Sequence, residues 1–167
     1  RNPDVRNYRS QAYAARSHAL YEQGKYLPAV DSAYLGTLEK YDNVECHLNR
    51  IRAYIARREW DKAINSCNRV IGLDARSAEA YCQRGFAYGN KERYDQAITD
   101  HNKAIELNPK LALAYQRRAA AQIGKKKFPE AVKDLEQALQ IQPNLAEALC
   151  DRAMLMAANR APSKAEA

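Results

Sequence analysis

Apolar residues along the chain recur at three- and four-residue intervals, break at short polar stretches, and return in the same pattern every 34 residues. Such spacing collects the apolar positions on one face of a helix. Several columns carry the period. Alanine stands at Ala29, Ala63, Ala97 and Ala131, with an aromatic three residues earlier at Tyr26, Trp60, Tyr94 and Phe128. A β-branched residue follows at Val30, Ile64, Ile98 and Val132, and a second alanine column runs through Ala19, Ala53, Ala87 and Ala121. Nowhere do β-branched residues gather into alternating runs, so strands are not expected.

The period divides the chain into a lead-in over 1–9 that extends the first helix, repeats over 10–43, 44–77, 78–111 and 112–145, a helix over 146–160 and a tail over 161–167. In the third repeat, Tyr81, Gly85 and Tyr88 share one face of a first helix, while Ala97, His101, Ala104 and Ile105 form the stripe of a second. Small residues at repeat positions 8 and 20 let the two helices approach closely, and a polar turn such as 90–93 joins them. Pro28 and Pro129 fall in the first turn of a second helix, where a missing N–H costs little. One hairpin cannot bury its own apolar face, so the units must stack. Residues 146–160 read as a capping helix, with the first helix of a truncated fifth repeat as the alternative, since Ala165 stays in register. Leu149, Ala153 and Met156 would then leave a bare stripe suited to self-association.

This pattern resembles the tetratricopeptide repeat over nearly the whole chain. The copy at 78–111 matches best, with Tyr81, Gly85, Tyr88, Tyr94, Ala97, Ala104 and Pro109 in place. The first copy departs most, because Gly36, Thr37 and Tyr41 replace an alanine, an apolar residue and the proline; a looser second helix is expected there. The resemblance implies an all-α, right-handed superhelical solenoid of four helix-turn-helix hairpins plus a C-terminal capping helix. It also implies a non-catalytic scaffold, an adaptor or assembly module that grips a peptide or partner helix in a concave groove. Carried across position by position, the groove residues are Leu48, Asn49, Arg52 and Ile55, then Cys82, Gln83 and Phe86, then Leu113, Gln116, Arg117 and Ile123. The apolar members suit a mixed apolar and polar segment, or are buried by curvature; Arg52 and Arg117 could take a carboxylate. Family members that hold the acidic tails of heat-shock chaperones use a clamp of Lys, Asn and Arg. Ala14, His18, Asn49, Glu79 and Gln83 stand at those positions here, and only Asn49 fits, so that ligand is not expected.

Position 7 is arginine in every copy: Arg16, Arg50, Arg84, Arg118 and Arg152. Asp100 and Asp134 stand at position 23 of the third and fourth copies, and Ser32 and Ser66 in the first two. Arg84 and Arg118 are therefore expected to pair with Asp100 and Asp134; a line of anion-binding arginines is the alternative.

The chain carries a formal net charge of +7. Lys25, Arg57, Arg58, Lys91, Arg93, Lys125, Lys126 and Lys127 lie in the turns between helices, against only Glu59 and Glu92. Stacked turns would align them as a basic edge, a second candidate surface for an acidic partner, an anionic membrane or nucleic acid. No aromatic sits among them to stack bases, which disfavours nucleic acid.

Little points to catalysis or to a cofactor. The six glycines are dispersed, and the histidines His18, His47 and His101 share no repeat position, so neither a phosphate-cradling loop nor a metal set is expected. Cys46, His47 and Cys67 form a possible cluster, for which core packing is the simpler account. Cys46, Cys67, Cys82 and Cys150 contain no C-x-x-C pair; reduced thiols favour a cytoplasm-like setting. No transmembrane run is visible, and a start at Arg1 leaves an upstream targeting segment open.

Overall fold

A computed structural model describes residues 3–160; the tail over 161–167 lies outside the described residues. The chain forms helices and, among those residues, no strand. They are α1 (Pro3–Glu22), α2 (Tyr26–Glu39), α3 (Val44–Ala56), α4 (Trp60–Leu73), α5 (Ala78–Asn90), α6 (Tyr94–Leu107), α7 (Ala112–Gly124), α8 (Phe128–Ile141) and α9 (Ala146–Arg160). From α1 to α8, odd-numbered helices are the first members of their hairpins and even-numbered helices the second; α9 follows the fourth hairpin.

Each helix packs on its chain neighbours. Odd-numbered helices also pack on one another along the stack, α1 on α3 through α7 on α9, whereas the even-numbered ones do not meet. The array is therefore an open solenoid whose first helices line its inner side. The alanine columns explain the close approach. Ala29, Ala63, Ala97 and Ala131 are fully buried, as are Ala53 and Ala87, and each hairpin closes over a small-residue seam. Larger side chains fill the spaces between layers: Ile51, Cys67 and Val70 pack with Ala80 of the next repeat, and Leu135 and Ala138 with Leu145 and Ala148.

Every hairpin turn has the same geometry. In the second turn, Arg58 N–H donates to Ile55 O at 2.9 Å and Glu59 N–H to Tyr54 O at 2.9 Å, and the first, third and fourth turns repeat the pair. This closure needs one left-handed residue after the helix. Gly24 supplies it at φ 73°, while Arg58, Glu92 and Lys126 adopt φ near 58–59° without a glycine. Asn43 caps α3 by accepting from Cys46 N–H at 3.2 Å, and Ser77 caps α5 by accepting from Ala80 N–H at 3.3 Å.

The first hairpin is less divergent than its sequence. α2 spans 14 residues, as do α4, α6 and α8. Gly36 has a packing role, because a Cβ there would collide with Cys46 Sγ. Ser10 Oγ donates to Gly36 O at 2.8 Å and accepts from Asn43 Nδ2 at 2.7 Å, tying α1 and α2 to the N-cap of α3. Upstream, α1 runs 20 residues from Pro3.

Candidate functional site

The inner wall holds the residues singled out as groove candidates, but in three different states. Leu48 and Ile55 pack onto the Ile51–Val70 cluster, Leu113 onto the Cys82–Ala104 cluster and Ile123 onto the Leu135 cluster. Much of their apolar area is spent joining repeats. Asn49 is buried, its amide donating to Ala14 O at 3.0 Å and its carbonyl accepting from Arg52 Nη1 at 3.2 Å. Arg52 also bonds Glu79 at 2.8 Å. Asn49 and Arg52 thus fasten α3 to α1 and to α5.

The remainder converge. Phe86, Gln116 and Arg117 line a cavity of about 250 Å³ among α5, α6 and α7, together with Gly89, Asn90 and Ala120 and with Tyr94 and His101 of α6. The Arg117 guanidinium lies 4.2 Å over the Phe86 ring, and Trp60 meets the same ring edge-on at 6.1 Å. Arg117 Nη1 donates to Gln83 Oε1 at 3.0 Å and lies 3.6 Å from the Cys82 sulfur. Gln116 donates to Asp151 at 2.7 Å, linking α7 to α9. A cation stacked on an aromatic face, with small residues around it, makes a pocket for one side chain beside a seat for an anionic group.

The basic edge is partly neutralised. Lys91 pairs with Asp61 and Lys125 with Asp95, each reaching back one repeat, and Arg57 pairs with Glu59. Arg93 stacks 5.0 Å from the centre of the Tyr88 ring, and Lys25 donates to Gln23 at 2.9 Å. Lys25, Arg58, Arg93, Lys126 and Lys127 are exposed and keep their positive charge. Asp61 and Asp95 sit just past the turns, at the starts of α4 and α6, so a count of turn residues alone misses them.

The three buried thiols, Cys46, Cys67 and Cys82, lie in settings that favour the protonated form. Burial pushes the Cys67 thiol up to about 12, and also raises Cys46 and Cys82. His47 Nε2 lies 2.8 Å from Tyr41 O, and His101 packs against Gly85 in the third hairpin. Burial lowers both histidines, His101 to about 3. No group of three His, Cys, Asp or Glu side chains among the described residues could hold a metal ion, and no helix there is long and apolar enough to cross a membrane.

An all-α solenoid with a side-chain-lined inner wall is a scaffold for binding other proteins. Residues 78–111 and 112–145 each match a model of the tetratricopeptide repeat, and these two repeats belong to that family. Among solved structures, the TPR domain of Arabidopsis OM64 is 28% identical, with a TM-score of 0.64 over 67% of this chain and 93% of that one. The first TPR of Spaghetti (RPAP3), bound to an HSP90 peptide, is 28% identical, with a TM-score of 0.65 over 70% and 92%. The PilF protein of Pseudomonas aeruginosa is 17% identical and shares the fold, with a TM-score of 0.83 over 93% and 71%. No curated protein matches the chain in sequence.

Proposed function

We propose that the chain is a non-catalytic adaptor whose inner wall captures a short peptide or partner helix at the Phe86–Arg117 pocket. The observation that carries this reading is the guanidinium of Arg117 stacked 4.2 Å over Phe86 at the edge of a cavity of about 250 Å³. An apolar ligand side chain entering beside Phe86 would bring a neighbouring carboxylate onto Arg117. The Spaghetti (RPAP3) repeat, 28% identical and bound to an HSP90 peptide, supports a peptide as the class of ligand. An acidic chaperone tail fits poorly here. Asn49 is committed to the Ala14 carbonyl, and Glu79 puts a carboxylate where such a clamp needs a donor.

A peptide library panned against the intact chain tests the proposal. Selected sequences should pair an apolar residue with an acidic one, and lose about tenfold or more in affinity on Phe86→Ala or Arg117→Gln. Lys126→Glu, on the turn edge, should leave them unchanged. Binders indifferent to Phe86 and Arg117 but abolished at Lys126 would move the function to the basic edge. Self-association through α9 is a separate reading, favoured by exposed Leu149 (40%) and Met156 (55%). Sedimentation of the chain with and without Met156→Glu tests it.

A further inference from the structure

In the third and fourth repeats the position-7 arginine is satisfied on two sides. Arg84 donates to both oxygens of Asp100 at 2.7 Å and, through Nη1, to Asn68 Oδ1 at 2.7 Å. Arg118 does the same with Asp134 and with Asn102. At the matching place in the second repeat, Arg50 faces Ser66 instead of an aspartate and Tyr34 instead of an asparagine. A serine hydroxyl supplies no charge, and Tyr34 offers only its ring, 5.7 Å from the guanidinium. Arg50 Nε is buried and has no hydrogen-bond partner.

A cavity of about 300 Å³ opens beside Arg50, between α3 and α4 on the side turned away from Leu48 and Ile55. Its walls include Arg50, Lys62, Arg69, His47, Asn65 and Ser66, and no carboxylate. Lys62 is compensated by Glu59 at 2.6 Å. Arg69 has no ion-pair partner among the described residues and lies 4.8 Å over the Tyr41 ring. His47, 1% exposed, donates Nε2–H to Tyr41 O at 2.8 Å, and its buried Nδ1 is unpartnered. Arg50 and Arg69 both line the cavity beside His47, which burial depresses against the opposing pull of its hydrogen bond to Tyr41 O.

We infer that this cavity is a binding site for a phosphate monoester, held by Arg50 and Arg69 with the Ser66 hydroxyl and the Asn65 amide completing its oxygens. The third and fourth repeats show what the arginine column takes when acceptors are present: one carboxylate and one asparagine carbonyl together satisfy each guanidinium. The second repeat differs in charge and in room. Two uncompensated guanidiniums match a dianion better than a single carboxylate, and the cavity exceeds the space that one aspartate side chain fills. The site is separate from the inner-wall pocket, so its occupancy does not depend on the peptide reading.

Titration of the intact chain with inorganic phosphate, O-phosphoserine and succinate, at matched ionic strength against sodium chloride, tests the inference by NMR of backbone amides and arginine Nε–H groups. Saturable shifts centred on Arg50, Ser66 and Arg69 are expected for both phosphates, with succinate about tenfold weaker or worse. O-phosphoserine binding tighter than inorganic phosphate would assign the site to a phosphorylated side chain of a partner; equal affinities would assign it to a free phosphate compound. Ser66→Asp recreates the internal acceptor of the third and fourth repeats. It should preserve or raise the melting temperature while abolishing the phosphate response. Arg69→Gln, on an exposed position, should weaken binding several-fold with the fold unchanged. No saturable response, a response equal for succinate, or one that survives Ser66→Asp in a folded protein would each overturn the assignment.

Discussion

Arg84 and Asp100 form a two-pronged ion pair across the third hairpin, Nε to Oδ2 and Nη2 to Oδ1, both at 2.7 Å. The pair is mostly shielded from water, with side-chain exposures of 20% and 6%. A third prong reaches Asn68 on α4, so one guanidinium spans the boundary between two repeats. Arg118 repeats the arrangement one layer on.

Removing the carboxylate alone should be costly, because it strands a half-buried cation. Asp100→Ala or Asp134→Ala is expected to destabilise the fold by about 2–4 kcal/mol, a fall in Tm of roughly 5–10 °C. Asp61→Ala, which breaks an exposed pair, should cost under about 1 kcal/mol. Replacing both partners, as in Arg84→Leu with Asp100→Leu, should recover much of the loss, since the desolvation cost vanishes with the charges. Equal melting temperatures for wild type and Asp100→Ala would show that the fork contributes nothing to stability.

The pairing of Arg84 with Asp100 was legible in the sequence because both partners sit in one hairpin, at fixed positions of a period that also sets their spacing. Interactions between hairpins were much less so. Asn68 and Asn102 as third partners depend on how one layer seats on the next. So do Asp61 with Lys91 and Asp95 with Lys125, whose separations of 30 residues cross a repeat boundary. The inner wall shows the same limit. Position alone assigned Leu48, Asn49 and Phe86 to one surface, yet Leu48 is spent on packing and Asn49 on the Ala14 carbonyl, whereas Phe86 faces a cavity. The unfilled acceptor place beside Arg50 was visible only as Ser66 in an aspartate column, a substitution whose meaning required the surrounding cations to be located.

The turns offer stabilising changes. A side chain in the left-handed region costs about 1 kcal/mol or more, partly offset by the extra freedom glycine gives the unfolded chain. Arg58→Gly, Glu92→Gly and Lys126→Gly should each therefore raise stability by roughly 0.5–1 kcal/mol in urea unfolding, at the φ values near 58–59° seen there. Gly24→Ala, at φ 73° with nothing within 4 Å of a new Cβ, should lose a similar amount through backbone strain alone. A gain at Gly24→Ala would contradict the assigned turn conformation.

Close helix approach in the third hairpin predicts intolerance to one methyl group. A Cβ on Gly85 would lie 2.8 Å from His101 Cε1 and 3.0 Å from Ala97 O, and the backbone oxygen cannot step aside as a flexible chain end would. Gly85→Ala should destabilise by about 1–3 kcal/mol despite its gain in helix propensity. Gly72→Ala, where nothing lies within 4 Å, is the control and should be stabilising by up to about 1 kcal/mol.

His101 makes the fold sensitive to mild acid. It is 1% exposed, its Nδ1 has no partner, and burial lowers it from 6.5 to about 3. Between those two values the unfolded chain binds a proton that the folded chain refuses. The stability conferred by a neutral His101 is therefore complete above about pH 6.5 and declines as pH falls, at about 1.4 kcal/mol per pH unit well inside the window. His47, also lowered by burial, adds a contribution of the same sign. Urea unfolding at pH 7, 6 and 5, above the range where carboxylates titrate, should show this slope in the wild type. His101→Gln should unfold at lower urea throughout but with a shallower dependence on pH, because one of the two refused protons is gone. Parallel pH dependences for the two proteins would mean that His101 accepts its proton within the folded state, and that the third hairpin opens far more readily than its packing indicates.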